Sequence, residues 1–109
     1  MAHYIFIESR APSESGESGF VAETAILLQK PGNDVSVFLV QNGVFGARRE
    51  VKGAYIDRLA AAGVRILADG FSLQERGIGP SARNPKIQQS NIEDLVDMLV
   101  SANTKAVWH

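Results

Sequence analysis

Five short apolar segments recur along the chain and predict the strands of one sheet. The first two span residues 3–8 and 35–40, and neither alternates between apolar and polar side chains. Such uninterrupted apolar runs are typical of strands that are buried on both faces. Residues 64–67 predict a third strand, and shorter segments around Ile87 and at residues 106–108 predict a fourth and a fifth.

Between these runs the apolar residues recur with helical spacing. Four helices are expected, one beginning near Phe20 and the others spanning residues 55–62, 71–76 and 92–100. Pro31 ends the first helix and Gly63 closes the second, since both residue types terminate helices. Asn91 is placed to cap the last helix, because Asp94 follows three residues later.

Strands that alternate with helices predict parallel strands joined by crossover helices. Because the strands are apolar on both faces, helices should cover both faces of the sheet. The sequence therefore predicts a single domain over residues 1–109, an α/β fold built as a three-layer α/β/α sandwich around a mainly parallel sheet of about five strands. Ligands of such sheets bind beyond the carboxyl ends of the strands, so the loops after Glu8, Val40 and Leu67 should form one rim.

Composition narrows the possible partners. The chain has 11 basic and 12 acidic residues, and a net charge of −1 provides no general attraction to nucleic acid or to anionic lipid. No apolar run approaches the roughly 20 residues that a bilayer crossing needs, and the N-terminus lacks the pattern of a signal peptide. We therefore expect a cytoplasmic protein with no nucleic-acid partner, no membrane partner and no cofactor.

The chain contains no cysteine and only two histidines. Disulfides, thiolate nucleophiles and cysteine metal sites are thereby excluded. If the first and last strands are parallel, His3 and His109 lie more than about 10 Å apart, so a shared metal site is not expected. No Gly-x-Ser-x-Gly motif occurs, and a hydrolase triad is not supported. The sequence offers no catalytic set and no metal site.

Three segments together resemble the DsrE/DsrF/DsrH-like family of small α/β sulfur-transfer proteins: FLVQNGVFGAR, a helix ending in AAAGV, and RILADGFSLQERGI. The resemblance covers roughly two-thirds of the chain. In thiol-bearing members a cysteine follows the third strand, a short helix ahead of an Arg-Gly pair, and carries a persulfide. Counting back from Arg76, the resemblance puts that position at Asp69, or at Ala68 if the register shifts by one. A carboxylate lacks the chemistry of a thiolate, so this chain is not expected to relay a persulfide directly.

Five residues on the expected rim are candidates for binding a ligand: Asn42, Gly43, Arg48, Asp69 and Arg76. Asp69 either binds a ligand or caps the helix that follows it. Arg76 either binds an anion or complements the dipole at the end of that helix. Asn42 and Gly43 either supply the positive φ of a turn or offer a backbone N–H to a ligand.

Two further segments carry alternatives. Residues 13–18 read Ser-Glu-Ser-Gly-Glu-Ser, similar to the phosphate loop of flavodoxins, but their glutamates would repel a phosphate and the segment equally fits a flexible, hydroxyl-capped loop. Arg48 forms a basic cluster with Arg49 and Lys52. This cluster is either a solvated face, a partner of Glu50, or a site for an acidic partner or a small anion.

Three functions are consistent with these features. The favoured one is a non-catalytic interaction or scaffold subunit of a sulfur-relay assembly, and the second is a small-ligand binding protein for an anion or nucleotide that uses Asn42, Arg48 and Asp69. The third, an enzyme of unrecognised chemistry, lacks a paired acid and base. The resemblance also implies a homo-oligomer, a trimer or a hexamer, or a hetero-oligomer with a thiol-bearing sulfur-relay protein. The chain has more apolar residues than so small a surface needs, including Phe45, Phe71, Val107 and Trp108, and this surplus fits such an assembly.

Overall fold

The computed structural model describes residues 2–11, 18–29, 32–49 and 55–109. Within these ranges five strands form one sheet: β1 (Ala2–Glu8), β2 (Asn33–Leu39), β3 (Arg65–Asp69), β4 (Gln88–Ser90) and β5 (Thr104–Trp108). The strand order is β4-β3-β2-β1-β5, and every neighbouring pair is parallel. The predicted fold class, a three-layer α/β/α sandwich around a parallel sheet, is confirmed.

The helices lie close to their predicted positions. They are α1 (Ser18–Leu28), α2 (Tyr55–Ala61), α3 (Gly70–Glu75) and α4 (Ile92–Leu99), with 3₁₀ segments at Gln41–Ala47 and Pro80–Ala82. The predicted cap of α4 is confirmed, because the side-chain oxygen of Asn91 accepts a hydrogen bond from the Asp94 backbone N–H at 2.8 Å. No helix in the described ranges has both the length and the hydropathy to cross a bilayer. The flavodoxin-like residues 13–17, Glu50 and Lys52 lie outside those ranges.

Alternate residues of the central strands enter two separate cores. On one face the strands pack against α1 and α2, through a cluster that includes Phe6, Val37, Ala22 and Leu59. On the other face Ile5, Ile7, Phe38 and Leu67 pack against Leu95 of α4. Among the described residues the second core is the smaller one, and Leu95 of the short helix α4 is its only buried helical side chain.

This imbalance leaves apolar residues uncovered at one edge of the sheet. Four of the five residues of β5 are exposed, and Ile92, Val96 and Val100 form a stripe along α4 with 48%, 50% and 77% of their surface exposed. Helices therefore cover both faces of the sheet, as expected, but the cover is incomplete at this edge. The physical reason is that β5 is an outermost strand with α4 as its neighbouring helix, and α4 turns only Leu95 fully inwards.

The chain turns sharply after β2, and the turn depends on Gly43 for an unexpected reason. The positive φ falls on Gln41, at 50°, rather than on Asn42 or Gly43, so the expectation that the latter pair supplies it is wrong. Gly43 is needed because the segment packs against the end of β1, where a Cβ at position 43 would lie 2.0 Å from the Glu8 carbonyl oxygen. The Val40 N–H donates to the same oxygen at 3.0 Å.

Replacing Gly43 by alanine should therefore destabilise the fold severely. The added methyl group would meet rigid backbone rather than a movable side chain, and we expect a loss of about 3 kcal/mol in the free energy of unfolding. Gly79→Ala is the matched control, because a Cβ there meets nothing within 4 Å. The control should change stability by less than about 0.5 kcal/mol. Urea unfolding of both variants measures the difference, and equal stabilities would contradict the close approach.

Candidate functional site

The carboxyl ends of the three central strands meet at one edge of the sheet. The register pairs Glu8 of β1 with Leu39 of β2, and Leu39 with Ala68 of β3. The third strand extends beyond its predicted end at Leu67, so that Asp69 is its last residue. The common rim expected from the alternating strands is therefore present, and Asp69, to which the resemblance assigns the position of the family cysteine, lies on it.

An open cavity of about 880 Å³ occupies this rim on the α4 side of the sheet. Its lining includes the polar residues Asn42, Asp69, Ser72 and Arg76 and the apolar residues Val40, Phe45, Phe71, Ile92, Leu95 and Trp108. Three of the five predicted site residues, Asn42, Asp69 and Arg76, come together here. Gly43 and Arg48 do not line the cavity.

Asp69 caps the helix that follows it. Its side chain is buried, with 3% of the residue exposed, and Oδ2 accepts hydrogen bonds from the Ser72 backbone N–H at 3.1 Å and from Ser72 Oγ at 2.7 Å. Ser72 Oγ in turn accepts a bond from the Gln41 N–H at 2.9 Å. These contacts connect β3 to the 3₁₀ segment Gln41–Ala47, and they establish the capping interpretation of Asp69.

Arg76 clamps the same 3₁₀ segment to α3. Its Nε and Nη2 both donate to Asn42 Oδ1, at 3.1 and 3.0 Å, and its Nη1 donates to the Ser72 carbonyl at 3.3 Å. The guanidinium also lies 5.8 Å from the centre of the Phe45 ring. Among the residues that the structure describes, no carboxylate oxygen approaches the guanidinium within 4 Å. The cavity therefore contains a fixed positive charge that no carboxylate of the described ranges neutralises in an ion pair.

The two remaining candidates have other positions. Gly43 is buried beneath the rim, against the end of β1. Arg48 is exposed, its guanidinium lies 5.2 Å from the centre of the Phe45 ring, and its backbone forms an isolated bridge with Arg83. Arg48 therefore supports a ring of the cavity wall without itself lining the cavity.

A second polar cluster lies at the same ends of the strands, on the α1 side of the sheet. The Glu8 carboxylate is buried and lies 2.8 and 3.0 Å from His109 Nδ1, and it also accepts a bond from the Arg10 N–H at 3.0 Å. Burial, with a further contribution from the charge of Glu8, raises the pKa of the nearby Tyr55 hydroxyl above its ordinary value. His3 pairs instead with Asp34 at the amino ends of the strands, so the two histidines are far apart, as predicted.

Sequence reasoning missed Ser72, Phe45 and the pairing of Glu8 with His109. A local signal existed for Ser72, because a serine three residues after a capping aspartate is placed to share that cap. The sequence marks Phe45 and Trp108 only as apolar residues. Glu8 and His109 are 101 residues apart, and their contact follows only from the finding that β1 and β5 are neighbours.

Known structures share this fold along its whole length. The ychN protein from E. coli superposes with a TM-score of 0.88 at 19% identity, and each chain is covered completely. Protein MTH1491 from Methanobacterium thermoautotrophicum gives 0.81 at 13% identity, again over the whole of both chains. BT1422 from Bacteroides thetaiotaomicron gives 0.75 at 14% identity, over 97% of this chain and 94% of that one. At these identities the likeness concerns the fold alone.

Comparison by sequence identifies the family. None of the curated proteins compared with the chain matches it significantly. The model of the DsrE/DsrF-like family, however, matches residues 2–106, which is nearly the whole chain. This agrees with the segments FLVQNGVFGAR and RILADGFSLQERGI and with the order of strands and helices. The chain belongs to the DsrE/DsrF-like family, as a member without cysteine.

Proposed function

We propose that this protein is a non-catalytic subunit of sulfur metabolism that acts through oligomeric interaction rather than through a persulfide of its own. Family membership supports the connection with sulfur relay. The absence of cysteine and the structural role of Asp69 support the loss of direct sulfur transfer. We expect such a subunit to work in the cytoplasm.

The uncovered apolar stripe on α4 is the observation that carries this proposal. Ile92, Val96 and Val100 follow one another at intervals of four residues, so they lie on one side of the helix. Contiguous apolar surfaces of this kind mark interaction sites in stable proteins.

The free edge of β5 supports the same conclusion. The Asn103 carbonyl and the His109 N–H both bond to β1, and alternate residues of a parallel strand bond to the same neighbour. Thr104, Ala106 and Trp108 therefore direct their backbone N–H and C=O groups away from β1. In the described ranges no further strand lies beyond β5. An exposed edge beside an apolar helix is a template for a second chain.

The partner that we propose for this surface is a second copy of the same chain, in a trimer or hexamer. Symmetric assembly of identical chains is the commonest form of association in soluble proteins. A hetero-oligomer with a thiol-bearing sulfur-relay protein is the alternative occupant, and it would supply the missing sulfur chemistry. The two arrangements differ in mass, so they are distinguished by the same measurement that detects the assembly.

The interface is tested by the variant Val96→Lys. Burying an unpaired ammonium group in an interface costs about 3 kcal/mol, so the dissociation constant of the oligomer should rise about a hundredfold. Glu93 lies three residues before position 96 and should keep the helix itself stable. Leu27→Lys is the matched control, because Leu27 is 68% exposed on α1, and Glu23 precedes it by four residues. Light scattering coupled to size exclusion measures the masses.

The control separates this surface from any other. We expect the wild-type protein and Leu27→Lys to keep the same oligomeric mass, while Val96→Lys dissociates with an unchanged circular dichroism spectrum. If Leu27→Lys dissociated and Val96→Lys did not, the interface would lie on the α1 side of the sheet instead. The proposal would be contradicted if the wild-type protein were monomeric by itself and also formed no complex with a thiol-bearing partner.

The structural role of Asp69 makes a separate prediction. Asp69→Ala should lower the free energy of unfolding by about 1 to 2 kcal/mol, because it removes a helix cap and leaves the buried Ser72 N–H without an acceptor. Asp69→Asn retains an acceptor and should lose less. Urea unfolding measures both values, and light scattering monitors assembly. Unchanged stability of Asp69→Ala together with lost assembly or lost ligand binding would make Asp69 a functional residue instead.

The cavity favours a second candidate function, the binding of a small ligand. Its volume of about 880 Å³ lies within the usual range for such sites, about 300–1,000 Å³, and its lining combines apolar walls with a few fixed polar groups. Native mass spectrometry of protein purified gently from its own host tests this function. We expect additional small-molecule mass on each chain. Chains that all carry the mass of the bare polypeptide would contradict it.

A further inference from the structure

The walls of the cavity suit a flat, apolar body. Three aromatic side chains, Phe45, Phe71 and Trp108, contribute to its lining, and Val40 and Leu95 are buried residues at its base. Aromatic rings offer large apolar faces with little loss of conformational entropy when a ligand covers them. Phe71 and Trp108 are mostly exposed, so a ligand between them would bury surface that now contacts solvent.

Arg76 provides an anchor for one negative charge at the edge of these walls. A guanidinium has five N–H donors, and the bonds to Asn42 Oδ1 and to the Ser72 carbonyl use three of them. Those bonds hold the group in one orientation, so a ligand would not have to order it on binding. The acceptors are an amide and a carbonyl oxygen, both neutral, so the positive charge remains available to a carboxylate.

The acidic residues of the cavity limit the charge of the ligand. Asp69 lines the cavity with a carboxylate that already accepts two bonds from Ser72, and Glu75 lines it one residue before Arg76. Asp69 and Glu75 thus place two carboxylates in the same cavity as a single guanidinium, and they would repel a second negative charge on a ligand. A di- or triphosphate nucleotide is therefore disfavoured, whereas a single carboxylate that bonds directly to Arg76 brings only one negative charge into the cavity.

We infer that the cavity binds an amphipathic monocarboxylate, with an aromatic or similarly flat apolar body between Phe45, Phe71 and Trp108 and its carboxylate on Arg76. This inference rests on the ligand-binding function proposed above, and it names the chemical class of the ligand. The same geometry makes the neutral amide of such an acid a poor ligand, because the amide lacks the charge that Arg76 recognises.

Hydrocinnamate is a suitable probe, and Trp108 is a built-in reporter. Trp108 is the only tryptophan of the chain, so its fluorescence reports on the cavity wall. Titration of the intact oligomer should give a saturable change of emission with hydrocinnamate. The affinity for the neutral hydrocinnamamide and for the dianion phenylsuccinate should be at least about tenfold lower. This comparison uses the wild-type protein and does not depend on the folding of any variant.

Two variants locate the binding site. Arg76→Gln should weaken hydrocinnamate at least about tenfold and abolish the preference over the amide, because it removes the charge. Arg58→Gln is the matched control, since Arg58 is exposed on α2, on the other side of the sheet, and should bind like wild type. Phe71→Ala changes a mostly exposed wall residue, which should leave the fold intact and weaken both ligands several-fold.

The outcomes separate the inference from the function on which it rests. Equal binding of acid and amide, tighter binding of phenylsuccinate, or full affinity in Arg76→Gln would each overturn the inference. If native mass spectrometry shows additional small-molecule mass but hydrocinnamate does not change the Trp108 fluorescence, the proposed ligand class is wrong and the ligand-binding function stands. If there is neither additional small-molecule mass nor a change in fluorescence, both the ligand class and the ligand-binding function are wrong.

Discussion

Glu8 holds together the edge of the sheet on which the proposed activities of this protein depend. Its carbonyl accepts the Val40 N–H and packs against Gly43, which fixes where the chain turns after β2. Its carboxylate, almost fully buried, joins the Arg10 N–H and His109, which fixes the ends of β1 and β5. A buried carboxylate is stable only when it is paired. The position of Glu8 therefore depends on His109, and the turn after β2 depends on the position of Glu8.

The cavity inherits its rigidity from this arrangement. On one side of the 3₁₀ segment Gln41–Ala47, Gly43 packs against the Glu8 carbonyl, and Val44 and Ala47 are fully buried in the larger core. On the side of α3, Ser72 accepts a hydrogen bond from Gln41 and Arg76 donates to Asn42. A segment fixed on both sides places Asn42 and Phe45 without freedom to adjust. The site therefore resembles a preformed receptor more than a mobile loop, although it is built almost entirely from a connection between strand and helix.

Local patterns in the sequence predicted what depends on local interactions. The apolar runs of β1 and β2 gave the central strands, and the caps Asn91 and Asp69 were recognisable because each acceptor lies three residues before its donor. Thr104 and Lys105 were not predicted as strand, because pairing with β1 rather than their own hydrophobicity keeps them extended. The 3₁₀ segment was expected to be an irregular loop, since its conformation depends on Ser72 and Glu8, 31 and more residues away. Contacts of this range follow from strand order, which local patterns do not encode.

The bonds of Asp69 also bear on what a thiol could do at this position. In thiol-bearing relatives the resemblance places cysteine where this chain has an aspartate that caps α3 and, through Ser72, helps to hold Gln41. A thiol is a weak acceptor and would not replace those bonds. A cysteine at position 69 would therefore bring a nucleophile to the rim and remove the cap of α3 at the same time. In this chain a thiol at that position would need a second substitution that supplies another acceptor for the Ser72 N–H.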